Sequence, residues 1–231
     1  MVTTAMKRYR VRTAEQAALV GPAGEHPIAP AALFGRRAPL VLEIGFGHGD
    51  FITATATAQP EHDIIGVEYD RLRVTKTAHK ATRRGLTNLR LFQDEAWHFV
   101  HHRLEPGCIA RAYVLFPDPW PRRRHRRRRL LTRAFLLDLA WCLAPGAQLA
   151  IASDRHDYAF QALSNVSTLP GLFVNRFQPA GYAFDIPTTV PTVFERHRKR
   201  AGCRIAYLAF ERTAAPAPSR VPYRYPGKEA L

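Results

Sequence analysis

Apolar runs and amphipathic stretches alternate along the middle of the chain. "PLVLEIG" at 39–45, "DIIGVEYD" at 63–70, "NLRLFQDEA" at 88–96, "ARAYVLFPDP" at 110–119 and "AQLAIASD" at 147–154 each hold a nearly continuous apolar run. Such runs fit strands covered on both faces, where few side chains need to reach water. Between them, the stretches at 50–59, 71–85, 97–105, 128–146 and 155–166 read as helices. Asp50 is placed to cap the first of these helices, and Gly85 to close the second. "LFVNRF" at 172–177 and "CRIAYLAFER" at 203–212 read as late strands. Regular β-α alternation predicts an α/β fold with a mostly parallel sheet and helices on both faces.

The chain's 231 residues suffice for one large domain but not comfortably for two, and 46% hydrophobic residues support a sizeable core. Residues 1–37 are basic, punctuated by Pro and Gly and weakly periodic, which predicts an arm or loosely packed leader. Residues 38–212 carry the domain, and 213–231 form a Pro-rich tail. Charge changes the picture. Lys and Arg number 34 against 19 Asp and Glu, and the resulting +15 predicts a polyanionic partner. The plainer account is a basic protein whose composition favours Arg and Ala. Cys108, Cys142 and Cys203 lie far apart with no zinc-like spacing, so they read as small apolar residues in a reducing compartment, and no metal is expected. No apolar stretch approaches a membrane span and no signal core opens the chain, so a cytoplasmic location is expected.

Candidate chemistry begins at "LEIGFGHGD". Gly45, Gly47 and Gly49 follow a strand and precede a helix, so the backbone can approach a ligand where side chains would clash. Glu68 ends the next strand 23 residues after Gly45, where a carboxylate can accept from both hydroxyls of an adenosine ribose. Two ligands compete: a nicotinamide dinucleotide and S-adenosylmethionine. A pyrophosphate needs free helix-terminal amides and a G-x-G-x-x-G spacing, whereas Asp50 stands at the helix start and would repel it. Glu43, just before the glycines, suits the cationic methionine moiety instead. Spacing and charge favour S-adenosylmethionine; a purely structural turn is the remaining account. After the third strand, Asp94 and Glu95 are placed to reach an adenine amino group, and Asp94 equally to cap a helix.

"LFPDPWPRRRHRRRRLL" at 115–131 sets one carboxylate, Asp118, between two prolines, with Trp120 next and eight arginines among residues 122–133. Ligands of open α/β sheets sit beyond the carboxyl ends of the strands, so this turn meets the cofactor's reactive end. The prolines are expected to stiffen it and hold Phe116 and Asp118 extended. Arg123, Arg124, Arg126, Arg127 and Arg128 then offer a phosphate-binding surface, since so dense a run repels itself without a partner. Each part has a plainer account: Asp118 as turn former, Trp120 as packing, the arginines as a solvated helix face.

Together "LEIGFGHGDF", "GVEYDR", "NLRLFQDEA", "LFPDPWPRRRHRRRRL", "SDRHDYA" and "TVFERHRKRAG…YLAFER" resemble the bacterial tRNA (guanine-N7)-methyltransferase family, in its order, over about residues 40–212. The "FPDPWP…RH…RRRL" string is the specific part; the glycine motif alone marks only a methyltransferase. The resemblance implies a Rossmann-like class I S-adenosylmethionine-dependent methyltransferase; monomer and homodimer both stay open. Its substrate would be tRNA, methylated at N7 of a guanine at position 46 in the variable loop. By position it implies cofactor contacts at Glu43, Glu68 and Glu95 beside the glycines, a catalytic acid at Asp118, and substrate contacts at Arg122, Asp154, Thr192, Val193, Phe194 and Glu195. Three departures stand out. Glu95 replaces the family's usual Asp or Asn, leaving the adenine contact to Asp94 or Glu95; Arg122 replaces Lys; and the basic cluster is all arginine.

Guanine N7 already bears an in-plane lone pair and no proton, so no general base is needed. Asp118 is expected to stabilise charge developing on the purine, with Asp154 and Glu195 meeting the guanine N1–H and amino edge and Thr192 supporting its loop. His101, His102 and His125 read as phosphate or surface residues, since no proton transfer calls for them. An inactive RNA-binding protein on the same scaffold would be favoured if Glu43, Glu68 or Asp118 were missing; a DNA or small-molecule methyltransferase is the other alternative, and the flanking arginines argue against a small neutral substrate.

Overall fold

The computed structural model describes residues 13–22, 24, 26–186 and 190–216; the first twelve residues of the expected arm and the tail beyond Pro216 lie outside the described residues. Strands β1 (Leu40–Ile44), β2 (Asp63–Glu68), β3 (Leu89–Gln93), β4 (Ile109–Leu115) and β5 (Leu143–Ser153) run parallel. β6 (Phe173–Asn175) and β7 (Ala183–Phe184) pair antiparallel with β8 (Ala206–Arg212), which lies antiparallel beside β5. The sheet order is β3-β2-β1-β4-β5-β8-β6, with β7 also on β8.

β1 and β2 are buried at every position, as strands between two layers must be. On one face the helices Asp50–Ala58 and Arg71–Arg83 put Ile52, Ala56, Val74 and Ala78 into one cluster with Val41 and Ile64. On the other, the helices Arg133–Cys142 and His156–Ser167 join Phe135, Leu139, Tyr158 and Ala162 to Leu42, Val114 and Leu149. Gly66 in β2 permits the first layer's close approach: a Cβ there would lie 2.3 Å from Ile52 Cδ1 and 2.7 Å from Phe46 Cδ1.

Several boundaries differ from the sequence reading. Arg123–Arg128 is a 3-10 segment, and the following helix starts only at Arg133, capped by the Thr132 hydroxyl, which accepts from the Phe135 N–H at 3.3 Å. The chain has to turn there to bury Leu131, which is 1% exposed. Residues 143–146, expected in the helix, open β5 instead. Gly49, at φ 73°, is the N-cap where Asp50 was expected; Asp50 is the first helical residue and pairs with Lys80 Nζ at 2.5 Å. The expected helix at 97–105 is one α-turn, Ala96–His98, continuing as a π-helix over Phe99–Arg103.

Part of the expected loose leader is packed. After the helix Ala14–Leu19, Val20 bridges Leu91 and the Gly21 N–H donates to the Leu91 carbonyl at 2.8 Å, which shields the β3 edge. Buried Arg103 donates to the carbonyls of Pro22 (3.1 Å), His26 (2.8 Å) and Gly24. Among the described residues, no helix is long and apolar enough to cross a membrane.

Candidate active site

The carboxyl ends of β1, β2, β3 and β4 open onto a cleft with two lobes. Glu43, Gly47, Thr192, Val193 and Phe194 line one; Glu68, Asp94, Glu95, Trp97 and Trp120 line the other; Gly45, Arg73, Phe116 and Asp118 line both. The cleft thus gathers residues spread from 43 to 194 in sequence.

Gly45 (φ 74°) and Gly47 (φ 55°) adopt left-handed conformations, and a Cβ at Gly45 would meet no atom within 4 Å. That backbone is open to a ligand. Gly49 serves packing instead, since a Cβ there would fall 2.3 Å from Thr77 Oγ1 on the neighbouring helix. Below the turn, Glu43 is 3% exposed and its Oε2 has no hydrogen-bond partner. Burial, then the nearby Glu68 and Asp50 carboxylates, push its pKa up to about 8 from 4.5. A buried carboxyl with an unmet oxygen is suited to a cation.

A pKa raised on folding contributes stability that is full below the unfolded value of 4.5 and is lost as pH climbs through about 8. Ligand-free protein is therefore expected to lose thermal stability between about pH 5 and pH 8 in a way that Glu43→Gln removes. Melting curves of the two proteins across that range check it; parallel curves would contradict the buried, protonated carboxyl.

Glu68 is 3% exposed and accepts from the Gly47 N–H (3.0 Å) and the Asp70 N–H (3.1 Å). It thereby fixes the glycine turn relative to β2, and Arg73 Nη1 stands 3.7 Å away. Asp94 accepts from the Glu95 N–H (2.8 Å) and lies 2.9 Å from His98 Nδ1, while Glu95 accepts from Trp97 Nε1 at 3.1 Å. Asp94 is not the helix cap; that position is Glu95, whose side chain makes no cap bond.

The Pro-Asp-Pro turn corrects one expectation. Phe116 is not extended but has φ 54°, and Trp120 has φ 41°. Two non-glycine residues in the left-handed region flank Pro117-Asp118-Pro119, strain of a kind that collects at functional sites. The surroundings hold it. The Phe116 N–H still donates to the Ala152 carbonyl (2.8 Å), and the Phe116 ring packs 5.0 Å from that of Phe194. From below, Arg129 donates to the Pro119 carbonyl (2.8 Å), Gln161 Oε1 (2.6 Å) and Asp157 Oδ2 (2.6 Å). Arg129 is 2% exposed and its guanidinium lies 4.7 Å from the Tyr158 ring centroid. Burial opposes ionisation of Asp157, but the Arg129 hydrogen bond and charge, then Arg155, outweigh it and hold the carboxyl below its usual range.

Arg122, Arg123, Arg124, Arg126, Arg127 and Arg128 are all exposed. Arg128 stacks 5.0 Å from the Trp120 ring centroid. Burial and then the charges of Arg124, Arg128, Arg122 and Arg127 hold the His125 imidazole below its ordinary pKa. The run is therefore two things: an exposed cationic surface and, at Arg129, a buried clamp.

The later site residues divide. Thr192 caps the helix Val193–Arg200, its hydroxyl accepting from the Glu195 N–H at 2.9 Å, and leaves Val193 and Phe194 exposed over the glycine turn. Asp154 Oδ2 lies 2.7 Å from Arg198 Nε, a charge contact without an aligned hydrogen bond. Glu195 departs from its expected place at the substrate's edge. It is 3% exposed and turned inward, accepting from the Tyr207 hydroxyl (2.6 Å) and Lys199 Nζ (2.7 Å). Four-residue spacing on a helix brings Lys199 to it, and the apolar wall around Tyr207 favours a paired acid. Arg73, Trp97 and Arg129 were missed by sequence reasoning; only Arg129 carried a signal, its place directly before the apolar pair Leu130-Leu131. Among the described residues no group of His, Cys, Asp and Glu is arranged to hold a metal ion.

A family profile described as "Putative methyltransferase" matches residues 37–205. The tRNA (guanine-N(7)-)-methyltransferase of Methylococcus capsulatus is 39% identical over 184 residues, covering 80% of this chain and 79% of the relative. That of Bordetella pertussis is 39% identical over 191 residues, 83% and 74% of the two chains. Among solved structures, the 16S rRNA methyltransferase KamB superposes with TM-score 0.57 at 16% identity, over 79% of this chain and 91% of that one. The 16S rRNA (adenine(1408)-N(1))-methyltransferase of Catenulisporales acidiphilia does so with TM-score 0.56 at 16% identity, over 86% and 98%. At that identity the two structures establish a shared fold.

Proposed function

The chain belongs to the tRNA (guanine-N(7)-)-methyltransferase family, and on that premise we propose that its cleft binds S-adenosylmethionine and presents it to N7 of the guanine at position 46 of tRNA. The observation that carries the cofactor reading is Glu43, a buried carboxyl with an unpartnered oxygen beside an open glycine cradle. Any N–H or O–H donor would meet that oxygen, and a cationic donor such as an ammonium does so most strongly against a carboxylate. When bound, S-adenosylmethionine supplies a methyl group from its sulfonium to the guanine.

In this reading Glu43 holds the ligand's ammonium group, Gly45 and Gly47 allow backbone approach, and Glu68 accepts from the ribose hydroxyls. Asp94 or Glu95 meets the adenine amino group, both lining the second lobe. The acceptor nitrogen needs no deprotonation, so the chain's main work is alignment. Positive charge then moves onto the purine, and the Asp118 carboxylate stabilises it. Asp154 meets the guanine's polar edge, and Val193 and Phe194 wall the entrance. Glu195 acts from inside, anchoring the start of its helix through Tyr207 rather than touching the base. Arg122 contacts the substrate beside the turn. Arg123, Arg124, Arg126, Arg127 and Arg128 hold tRNA backbone, with residues 38–212 as the catalytic domain between a basic arm at 1–37 and a Pro-rich tail at 213–231.

Calorimetric titration tests the cofactor assignment. S-adenosylhomocysteine is expected to bind, and Glu68→Ala to weaken it by about tenfold or more, since a buried acceptor of two hydroxyls is lost. Preferential binding of NADH would overturn the reading.

A further inference from the structure

We propose that a rigid aromatic ledge beside the arginine run, made by His156, Phe160, Tyr182 and Phe184, stacks an unpaired base of the substrate RNA next to the methylation site. The proposal rests on the tRNA reading above and adds a second contact site to it.

The ledge joins two elements. His156 and Phe160 lie on the first turns of the helix His156–Ser167, which starts directly beyond β5 at the ligand edge of the sheet. Tyr182 and Phe184 come from the β7 segment. Ring centroids lie 4.9 Å apart for Phe160 and Tyr182, 5.2 Å for Tyr182 and Phe184, and 4.9 Å for His156 and Phe184. Phe160 remains 38% exposed, whereas Tyr158, two residues earlier on the same helix, is 1% exposed. The Phe160 ring, on the outward side of an otherwise polar helix face, is inclined 56° to Tyr182, which is inclined 73° to Phe184, so one apolar ring is open to solvent with further rings braced against it at an angle.

The ledge is held in shape before any ligand arrives. Asn175 Nδ2 donates to the Gly181 carbonyl at 2.8 Å, and Gly181, at φ 82°, leaves only 3.3 Å for a Cβ against Leu163 and Asn175. Asp185, at φ 51°, accepts from the Ile205 N–H at 2.9 Å and fixes the end of β7. The His156 ring Nε2 lies 3.0 Å from the Arg204 carbonyl, which can only accept, so that nitrogen carries the proton.

Charge chooses the occupant. Arg204 lies with Cζ 4.0 Å from the Phe184 ring centroid, yet its side chain is 63% exposed, a planar cation backed by a ring and open to solvent. Arg155 is 43% exposed at the other side. The nearby acids are already engaged: Asp185 stands 3.4 Å from Arg204, and Asp157 is shared by Arg129 (2.6 Å), Arg155 (3.1 Å) and Arg126 (3.5 Å). Asp157 joins Arg155 to Arg126 of the arginine run, Arg155 directly precedes His156 of the ledge, and His156 in turn meets the Arg204 carbonyl, so a phosphate backbone lying on Arg126 is led towards the ledge. Aromatic faces flanked by cations are the pairing that single-stranded nucleic acid uses, bases on rings and phosphates on arginines. A paired base in a duplex keeps its faces covered, so the occupant is an unpaired or unstacked nucleotide.

The test uses the full-length protein with S-adenosylhomocysteine and an unmodified tRNA transcript. Phe160→Leu keeps an apolar side chain but removes the ring and should raise the tRNA dissociation constant about tenfold, while Phe160→Tyr stays within about twofold of wild type. Arg204→Ala should reduce the slope of log K against log salt by about one. S-adenosylhomocysteine affinity and melting temperature should not move in any of the three. A Phe160→Leu dissociation constant within twofold of wild type overturns the proposal, as does a rise accompanied by lost stability and lost S-adenosylhomocysteine binding, which would make the ring structural. Wild type that binds the transcript without methylating it would sink the functional reading instead, leaving the ledge to be judged on Phe160→Leu.

Discussion

Asp118→Asn is expected to slow single-turnover methylation of tRNA on the order of a hundredfold while S-adenosylhomocysteine binds as before. Asp118 lines both lobes of the cleft and is exposed at its lip, so its charge faces the space a substrate would fill. Its position is not left to the turn alone. Phe116 and Trp120 hold left-handed conformations on either side, and Arg129 grips the Pro119 carbonyl. A carboxylate fixed before the substrate arrives pays no reorganisation as charge moves onto the purine, and a docked RNA excludes the water that would otherwise screen it. Asparagine keeps the size and removes the charge. Rapid-quench measurement with enzyme in excess separates this step from product release. A near-normal rate in a folded Asn variant would leave Asp118 as a turn residue.

Arg129→Ala is expected to destabilise the protein by roughly 3 kcal/mol and lower its melting temperature by about 6–12 °C. Two positions away, Arg127→Ala should change stability by no more than about 0.5 kcal/mol and instead weaken tRNA binding, lowering the salt slope by about one. The contrast follows from burial. Arg129 is 2% exposed and satisfies three acceptors from two segments, the Pro-Asp-Pro turn and the helix His156–Ser167, so its loss strands Pro119 O and Gln161 Oε1 together and opens a cavity. Asp157 keeps Arg155 and Arg126, which limits the damage. Arg129→Lys should not rescue, because one ammonium cannot reproduce a planar fork aimed at three acceptors. Thermal melts of the three variants decide it; equal stability for Arg129→Ala and Arg127→Ala would show that no member of the run is a clamp.

These contrasts also mark where the sequence stopped being readable. The parallel strands are legible because burial forces nearly continuous apolar runs, complete in β1 and β2, which are buried throughout, and partial in β3, β4 and β5. Glu43, Glu68 and Asp118 were legible because strand ends deliver them to one edge, and they line one cleft. The proline after Phe116 predicts an extended residue; its left-handed conformation depends on the Ala152 carbonyl and the Phe194 ring, which only the folded chain brings near. Arg129 differs from its neighbours in the sequence only by standing directly before Leu130-Leu131, and charge in a sequence says nothing of direction. Glu195 was placed at the substrate by position, while Tyr207, across the fold on β8, supplies the acceptor-seeking hydroxyl that turns it inward. The packed residues from Thr13 escaped notice because one short helix and one bridge carry too few apolar positions to show a period.

The most direct measurement of the central claim is the product. The protein is incubated with S-adenosylmethionine and tRNA lacking the modification, the tRNA is digested, and the nucleosides are weighed by mass spectrometry. 7-Methylguanosine, appearing with wild type and lost when position 46 of the transcript is not guanine, is the predicted result. A different methylated nucleoside, or none from a protein that binds S-adenosylhomocysteine and tRNA, would contradict it.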